Sequence, residues 1–325
     1  MKELLQWGFL GTARISRALI PPLRASKRNR LAAVASRSLE KAQEYSREWK
    51  VPKAYGSYEA LLADPDIDVV YIPLPNHLHM EWVLKAAAAG KHVLCEKPLA
   101  LSTAEVDSII QAAQTYQVHI AEAFMYRHHL QTLKVKEMVD NGEIGELRYI
   151  QGSFSYQLNQ EDDYRMNPAE GGGSLWDIGC YPLSYSLLAA DTAPVEVMGW
   201  QKKARSGIDV DFIGQMRFPS GLFAHIHSSF ELPDFTSMEL RGSRGTLLIP
   251  VPFTPTDRPQ FILQNEKEQT IRVKGIELYR GEVENMSEVI LDHLAPRLPL
   301  EKSWQIIRCL EALYQSADAG KPVIV

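Results

Sequence analysis

The sequence predicts an α/β protein in two parts: a doubly wound parallel sheet first, then an α+β half built on a mostly antiparallel sheet with one face open. Two patterns and the chain length carry the prediction. Roughly the first 120 residues alternate short, near-continuous apolar runs with helical stretches, the pattern of parallel strands covered on both faces. Such crossovers are right-handed and wind helices onto both sides of the sheet. After about residue 125 apolar and polar residues alternate over longer segments, as in an antiparallel sheet with one covered face. At about 100–200 residues per domain, 325 residues imply two domains.

The elements follow in order. Leu4–Leu10 is an apolar strand ending at Gly11, and the helix after it is expected to break at Pro21-Pro22. Leu31–Ser36 is a second strand, and Ser38–Trp49 is polar with apolar residues at helical spacing. Ser57 is placed to cap a short helix over Tyr58–Ala63. Asp64-Pro65-Asp66 is a turn before the buried strand Asp68–Ile72. His77–Ala89 is helical, with Gly90 where a helix ends. Lys91–Glu96 is a strand, Ser102-Thr103-Ala104-Glu105 is a capping box, and Val118–Phe124 is one more strand. A helix over Leu130–Asp140 ends at Asn141-Gly142. The alternating segments are Glu146–Tyr156, Val195–Ala204, Phe212–Phe218, Leu222–Phe230, Met238–Arg241 and Thr246–Ile249. Ser303–Ala319 is a closing helix that stops at Gly320. The change of texture divides the chain into residues 1–123 and 124–325. The closing helix is a candidate to pack back toward the first.

Composition excludes several classes. With 45% hydrophobic, 23% charged and 9% aromatic residues, the chain is not disordered, collagen-like or coiled-coil. A net charge of −5 argues against a dedicated nucleic-acid binder, and Arg24, Lys27, Arg28 and Arg30 read as a solvated turn. Cys95, Cys180 and Cys309 are few, odd in number and widely spaced, which suits reduced thiols. No apolar run is long enough for a spanning helix, and Met1-Lys2-Glu3 leads into no signal-like segment. A cytoplasmic protein with no membrane and no nucleic-acid partner is expected.

Four features carry chemistry. Gly8-Phe9-Leu10-Gly11-Thr12-Ala13-Arg14-Ile15-Ser16 runs from strand to helix and offers backbone N–H groups and a dipole end to a pyrophosphate. Ala13 and Ser16 stand where the dinucleotide fingerprint has its second and third glycines, and both are small. At the end of the second strand the chain reads Ala35-Ser36-Arg37-Ser38, with no acid until Glu40. An acid there holds the ribose 2′-OH of NAD; a hydroxyl and a guanidinium suit a 2′-phosphate, so NADP(H) is preferred and NAD(H) is the alternative. Glu96-Lys97-Pro98 ends a later strand, where ligands of open α/β sheets bind, and Pro98 admits a cis bond. Lys97 is placed to address nicotinamide and substrate. Glu96 is placed to bind the nicotinamide ribose or orient Lys97. Gly171-Gly172-Gly173 precedes Asp177 and Tyr181, four residues apart and so on one face of a helical segment beginning near Gly179. An acid and a phenol there position and protonate a substrate oxygen.

Together these marks resemble the Gfo/Idh/MocA family: glucose–fructose oxidoreductase, inositol dehydrogenase and their relatives. They are the Gly11–Ile15 turn, Glu96-Lys97-Pro98, Glu122-Ala123-Phe124-Met125-Tyr126-Arg127, and the Gly171–Tyr181 segment, in family order over essentially the whole chain. Many relatives have His where this sequence has Tyr181. Tyr resembles the branch of glucose–fructose oxidoreductase, dimeric dihydrodiol dehydrogenase and an NADP-dependent xylose dehydrogenase. The resemblance implies a Rossmann first domain, a nicotinamide cofactor, a sugar, polyol or related alcohol substrate, and pairing of subunits through the second sheet as homodimer or homotetramer. It implies that Lys97 orients the reacting oxygen, Tyr181 transfers the proton, and Asp177 holds substrate or organises Lys97. A nearby ammonium favours a phenolate over the phenol, whose ordinary pKa is near 10. It puts Arg165 with the substrate residues Lys97, Asp177 and Tyr181. Cofactor contacts would then be Gly11, Thr12, Ala13, Arg14, Ile15, Ser36, Arg37, Leu74, Pro75, Asn76, His79, Glu96, Lys97 and Arg127. The alternatives are an NAD-dependent inositol-type polyol dehydrogenase and a non-catalytic dinucleotide sensor. His77 and His79, and His225 and His227 on one strand face, lack a third ligand at useful spacing, so no metal is expected. Cys180 reads as a packing residue.

Overall fold

A computed structural model describes residues 3–160 and 162–325. The chain forms two compact units: residues up to Met125 with Tyr279–Trp304, and Tyr126–Leu278 with Gln305–Val325.

The first unit holds β1 (Leu5–Leu10), α1 (Ser16–Ala25), β2 (Asn29–Ala35), α2 (Leu39–Trp49), β3 (Lys53–Tyr55), α3 (Tyr58–Leu62), β4 (Val69–Ile72), α4 (His79–Ala88), β5 (His92–Glu96), α5 (Thr103–Tyr116) and β6 (Ile120–Ala123). The six strands pair in parallel in the order β3-β2-β1-β4-β5-β6. The order reverses between β1 and β4, so the crevice for a ligand lies outside the carboxyl ends of those strands. Trp7, Phe9, Val34, Val69 and Tyr71 are fully buried at its centre.

Local chemistry sets most boundaries. Ser38, Ser57 and Ser102 each accept a hydrogen bond from the backbone N–H three residues on. Glu105 reaches back to the N–H of Leu101, one residue before the cap, at 2.8 Å. The expected break at Pro21-Pro22 is overturned: α1 runs through both prolines. Its first turn already uses short i→i−3 bonds, and Leu19, Ile20, Pro22 and Leu23 are all buried. Burial of that face outweighs the roughly 3 kcal/mol a helix loses at proline.

The second unit begins with α6 (Leu130–Asp140), followed by β7 (Leu147–Ser155), α7 (Cys180–Ala190), β8 (Glu196–Lys203), β9 (Asp209–Arg217), β10 (Phe223–Ser229), β11 (Phe235–Gly242), β12 (Thr246–Ile249), β13 (Gln260–Gln264) and β14 (Glu268–Arg272). Then come α8 (Arg280–Asp292), α9 (Leu300–Ala319) and β15 (Val323–Ile324). Nine strands pair in the order β14-β13-β12-β11-β7-β10-β9-β8-β15, all antiparallel except β10 with β7.

The β13–β14 hairpin and α8 were not expected from sequence. Helix α8 counts with the first unit: Val283 and Met286 join the core of Trp7 and Phe9, and Asn29 donates to Ser287 at 2.6 Å. A single boundary after residue 123 therefore does not describe these units. The closing helix counts mainly with the second unit, from Gln305 onward.

On one face of the nine-stranded sheet α7 packs on β7, and α9 approaches Gly199 and Gly214. The opposite face carries Trp200, Ile213, Phe223 and Phe235, each 36–57% exposed. No helix among the described residues is long and apolar enough to cross a membrane.

Candidate active site

In the first unit the expected cofactor residues stand at the carboxyl ends of β1, β2, β4 and β5. Gly11 ends β1, its N–H bonded to Ala35 O at 2.9 Å across to β2. It has φ of 124°, and a Cβ there would touch Leu74 at 3.4 Å, so a side chain would strain the turn and fill the approach to it. The N–H groups of Thr12, Ala13, Arg14 and Ile15 make no hydrogen bond to the protein among the described residues. Four unused donors beside a helix start fit a pyrophosphate. At the end of β2, Ser36 is buried and Arg37 exposed. The Ser36 hydroxyl accepts from Ser38 N at 3.3 Å, which fixes the bend into α2.

Beyond β4, Leu74, Pro75 and Asn76 lead through a short 3₁₀ turn into α4. His79 is fully buried and locks two loops. Its Nε2 lies 2.7 Å from Leu74 O and its Nδ1 2.7 Å from Pro98 O. Burial pushes its pKa down to about 4, and the charge of Lys97 pushes the same way. At the end of β5, Glu96 accepts from the Tyr71 hydroxyl at 2.5 Å. Burial, first, and then Glu96 hold that phenol well above its usual range. The Lys97–Pro98 bond is cis, and Leu99 N donates to Glu122 Oε1 at 2.9 Å just beyond it.

The second unit carries Arg127, Arg165, Asp177 and Tyr181. Arg127, expected among the cofactor contacts, is buried and donates to Ser184 Oγ at 2.9 Å. The glycine segment leads into a π-helical turn over Leu175–Gly179, continuous with α7, so the helical run starts earlier than Gly179. Such turns are frequent at functional sites. Pro182, the third residue of α7, lies within this continuous helical run and takes one backbone donor out of it just after the π-helical turn.

Asp177 Oδ2 accepts from the Tyr156 hydroxyl at 2.8 Å and from Arg165 Nε at 3.0 Å. Arg165 in turn grips Asp163 at 3.1 and 3.2 Å. Burial opposes the Arg165 charge, but Asp177 and its neighbours more than offset it and raise the guanidinium pKa. Tyr181 sits among aromatic rings, with Tyr126, Phe154 and Phe253 at centroid distances of 5.8, 5.5 and 5.5 Å.

Two residues that sequence reasoning missed hold this segment. Tyr156 closes the Asp177 cluster, and Asp209 anchors the start of the helical run. Asp209 Oδ2 accepts from Ser174 Oγ at 2.7 Å and Leu175 N at 2.8 Å, and Oδ1 from the Tyr314 hydroxyl at 2.6 Å. A Cβ on Gly173, at φ 130°, would lie 2.3 Å from Asp209 Oδ1. No local signal marks Asp209, because its partners come from two distant segments, Ser174-Leu175 and Tyr314.

His227 is held by side chains of the two neighbouring strands. His227 Nδ1 contacts Ser153 Oγ at 3.1 Å, and its Nε2 contacts Asp211 at 3.2 Å. Cys180 is buried, its thiol 3.5 Å from Asp177 O.

Comparison with known proteins agrees with this architecture. Residues 5–124 match the family described as "Oxidoreductase family, NAD-binding Rossmann fold", and residues 132–248 match the GFO/IDH/MocA C-terminal domain. The chain is 37% identical to D-xylose 1-dehydrogenase (NADP(+)) 2 of Haloferax volcanii, covering 98% of this chain and 99% of that protein. A 3-ketoreductase from Actinomadura kijaniata, solved with NADP and TDP-benzene, superposes with a TM-score of 0.91 at 28% identity, over 96% of this chain and 98% of that one. An aldose-aldose oxidoreductase from Caulobacter crescentus, solved with glycerol, gives 0.92 at 25% identity, over 99% and 100%.

Proposed function

From the premise that this chain belongs to the Gfo/Idh/MocA oxidoreductase family, we propose that it is an NADP(H)-dependent enzyme acting on a sugar-like or cyclic alcohol or its carbonyl. The observation that carries the reading is the gathering of Gly11, Ser36-Arg37, Leu74–His79 and Glu96-Lys97 at the carboxyl ends of adjacent strands of one parallel sheet. The Gly11 turn, with its unused N–H donors, suits the pyrophosphate. Arg37, in place of an acid, suits a 2′-phosphate. The relatives' names point the same way: an NADP xylose dehydrogenase, and a ketoreductase solved with NADP.

A bound nicotinamide supplies or accepts the hydride. The protein's residues manage the oxygen. In this proposal Lys97 donates a hydrogen bond to the reacting oxygen and favours its anionic form. Tyr181 gives or takes the proton, and Asp177, fixed by Tyr156 and Arg165, holds a substrate hydroxyl. Arg127 braces α7 through Ser184. We further propose a cytoplasmic enzyme whose second copy covers the open face of the nine-stranded sheet. Trp200, Ile213, Phe223 and Phe235 lie exposed there, and Arg217 and Glu196, 3.1 Å apart, balance charge at its edge.

The test is a cofactor-absorbance screen of aldoses, inositols, diols and dicarbonyls with NADP and NAD, repeated with Lys97→Ala. NADP-linked turnover is expected. In the variant it should fall by at least about a hundredfold with unchanged NADPH binding, the scale of a lost electrostatic group. Near-normal turnover by Lys97→Ala overturns its role. A silent screen despite tight NADPH binding favours a sensor.

A further inference from the structure

We propose that the hydroxyl of Tyr58 belongs to the cofactor site and donates a hydrogen bond to the 2′-phosphate of NADP(H) beside Arg37. The inference rests on the NADP(H) reading above and adds a residue outside the motifs that suggested it.

Tyr58 opens α3 and is only 8% exposed. Trp82 fixes its ring edge-on, at 4.8 Å and 87°. Its hydroxyl makes no hydrogen bond among the described residues. The ring is buried while the hydroxyl keeps access to solvent, so its O–H is open to a ligand seated at the turn.

The location says which acceptor. A Cβ on Gly11 would stand 3.9 Å from Tyr58 Oη, so the hydroxyl overlooks the turn that ends β1. Arg37 follows the end of β2, the strand beside β1. Its charge is near enough to pull the Tyr58 pKa down, against the burial that raises it. Burial wins, so the phenol stays protonated and serves as a donor at neutral pH. A dianionic phosphate between a guanidinium and a phenol accepts from both. The ribose of NADH carries a hydroxyl at that position and gains much less from the pair.

Tyr58→Phe removes the hydroxyl and keeps the ring on Trp82. Calorimetric titration of the wild type, Tyr58→Phe and Arg37→Ala with NADPH and NADH, without substrate, tests the proposal. For Tyr58→Phe the NADPH Kd should rise by about tenfold or more while the NADH Kd stays within about twofold, as for a lost hydrogen bond to a charged group. An unchanged NADPH Kd overturns the Tyr58 assignment, provided the wild type prefers NADPH and Arg37→Ala loses that preference. Equal weakening of both cofactors puts the phenol on a part they share and also overturns it. Wild-type protein that binds NADH as tightly as NADPH removes the NADP(H) reading itself.

Discussion

His79 Nδ1 lies 2.7 Å from the carbonyl oxygen of Pro98, so one buried ring ties the loop after β4 to the loop that carries Lys97. Both ring nitrogens face carbonyl oxygens, while burial pushes the ring pKa down to about 4. The neutral ring then donates to one carbonyl only. Unfolding returns the ring to about 6.5, so the unfolded chain binds the extra proton between those values. Stability from this group is complete above about pH 6.5 and is lost as pH falls toward 4. At pH 5 the loss is about 2 kcal/mol relative to pH 7. Denaturant unfolding of the first unit at the two pH values checks this, and His79→Gln should flatten the dependence. A variant with the wild-type acid response shows that His79 is not its source.

Gly11→Ala tests the phosphate turn. At φ 124° an alanine is strained, and its methyl would press Leu74 at 3.4 Å. A loss of about 1–2 kcal/mol is expected, above the usual Gly-to-Ala gain at tolerant sites. NADPH affinity should fall with it, because the moved backbone misaligns the N–H groups of Thr12 to Ile15. Calorimetry at a temperature where the variant is fully folded separates the two effects. Undiminished affinity would remove the turn from the site.

The parallel half was legible because its signals are local. Ser38, Ser57 and Ser102 cap helices through atoms three residues away, and each buried strand announces itself as an apolar run. Pro21-Pro22 misled because the burial that keeps α1 continuous comes from strands elsewhere in the unit. Helix α8 was invisible for the same reason: Val283 and Met286 serve a core laid down some 250 residues earlier. Of the proposed site residues, residue type marked Lys97 in the first unit and Asp177 and Tyr181 in the second. Their supports, His79 to Pro98, Tyr156 to Asp177 and Asp209 to Ser174, are long-range pairings that only the fold creates.

Arg165 and Tyr156 share one oxygen of Asp177, at 3.0 and 2.8 Å. The Arg165 side chain is 30% exposed and that of Asp177 10%, so the pair is only partly withdrawn from water. Arg165→Ala should cost about 1–2 kcal/mol, between a surface and a buried pair. If Asp177 holds substrate, KM should rise about tenfold with a smaller change in kcat, and Tyr156→Phe should repeat the pattern more weakly. Steady-state kinetics on the best substrate of the screen decide it. A fall in kcat alone would move Asp177 from holding substrate to the proton-transfer step.

The open sheet face makes an assembly prediction. Trp200 pairs in register with Ile213, and Phe223 with Tyr149, so these side chains form cross-strand rows on one surface. A depression of about 450 Å³ lies there, lined by Tyr149, Met198, Gln215, Phe223 and His225 among others. Trp200→Lys with Phe223→Lys should convert a dimer to monomer in sedimentation equilibrium at micromolar concentration, because each buries a charge where apolar surface meets its copy. Wild-type protein that is already monomeric at that concentration rejects the dimer.

Asp209 contributes to the second unit an acid response opposite in sign to that of His79 in the first. Burial raises its pKa from 3.8 to about 6, although Tyr314, Ser174 and the Leu175 N–H all pull the other way. The folded chain therefore holds the Asp209 proton more tightly than the unfolded chain. Stability from this group is present below about pH 3.8 and is lost as pH rises through 6, by about 3 kcal/mol in full. Moving from pH 7 to 5 should restore about 1 kcal/mol of it. His79 and His119, the latter also pushed down to about 4 by burial, take stability from the first unit over the same interval. Hydrogen exchange at pH 7 and pH 5, corrected for intrinsic rates, should show protection falling in β4, α4 and β5 while it rises in β9 and the 174–181 segment. Asp209→Asn should abolish the rise and leave the fall. Parallel movement of the two sets in wild-type protein would mean that the Asp209 carboxyl does not govern the second response.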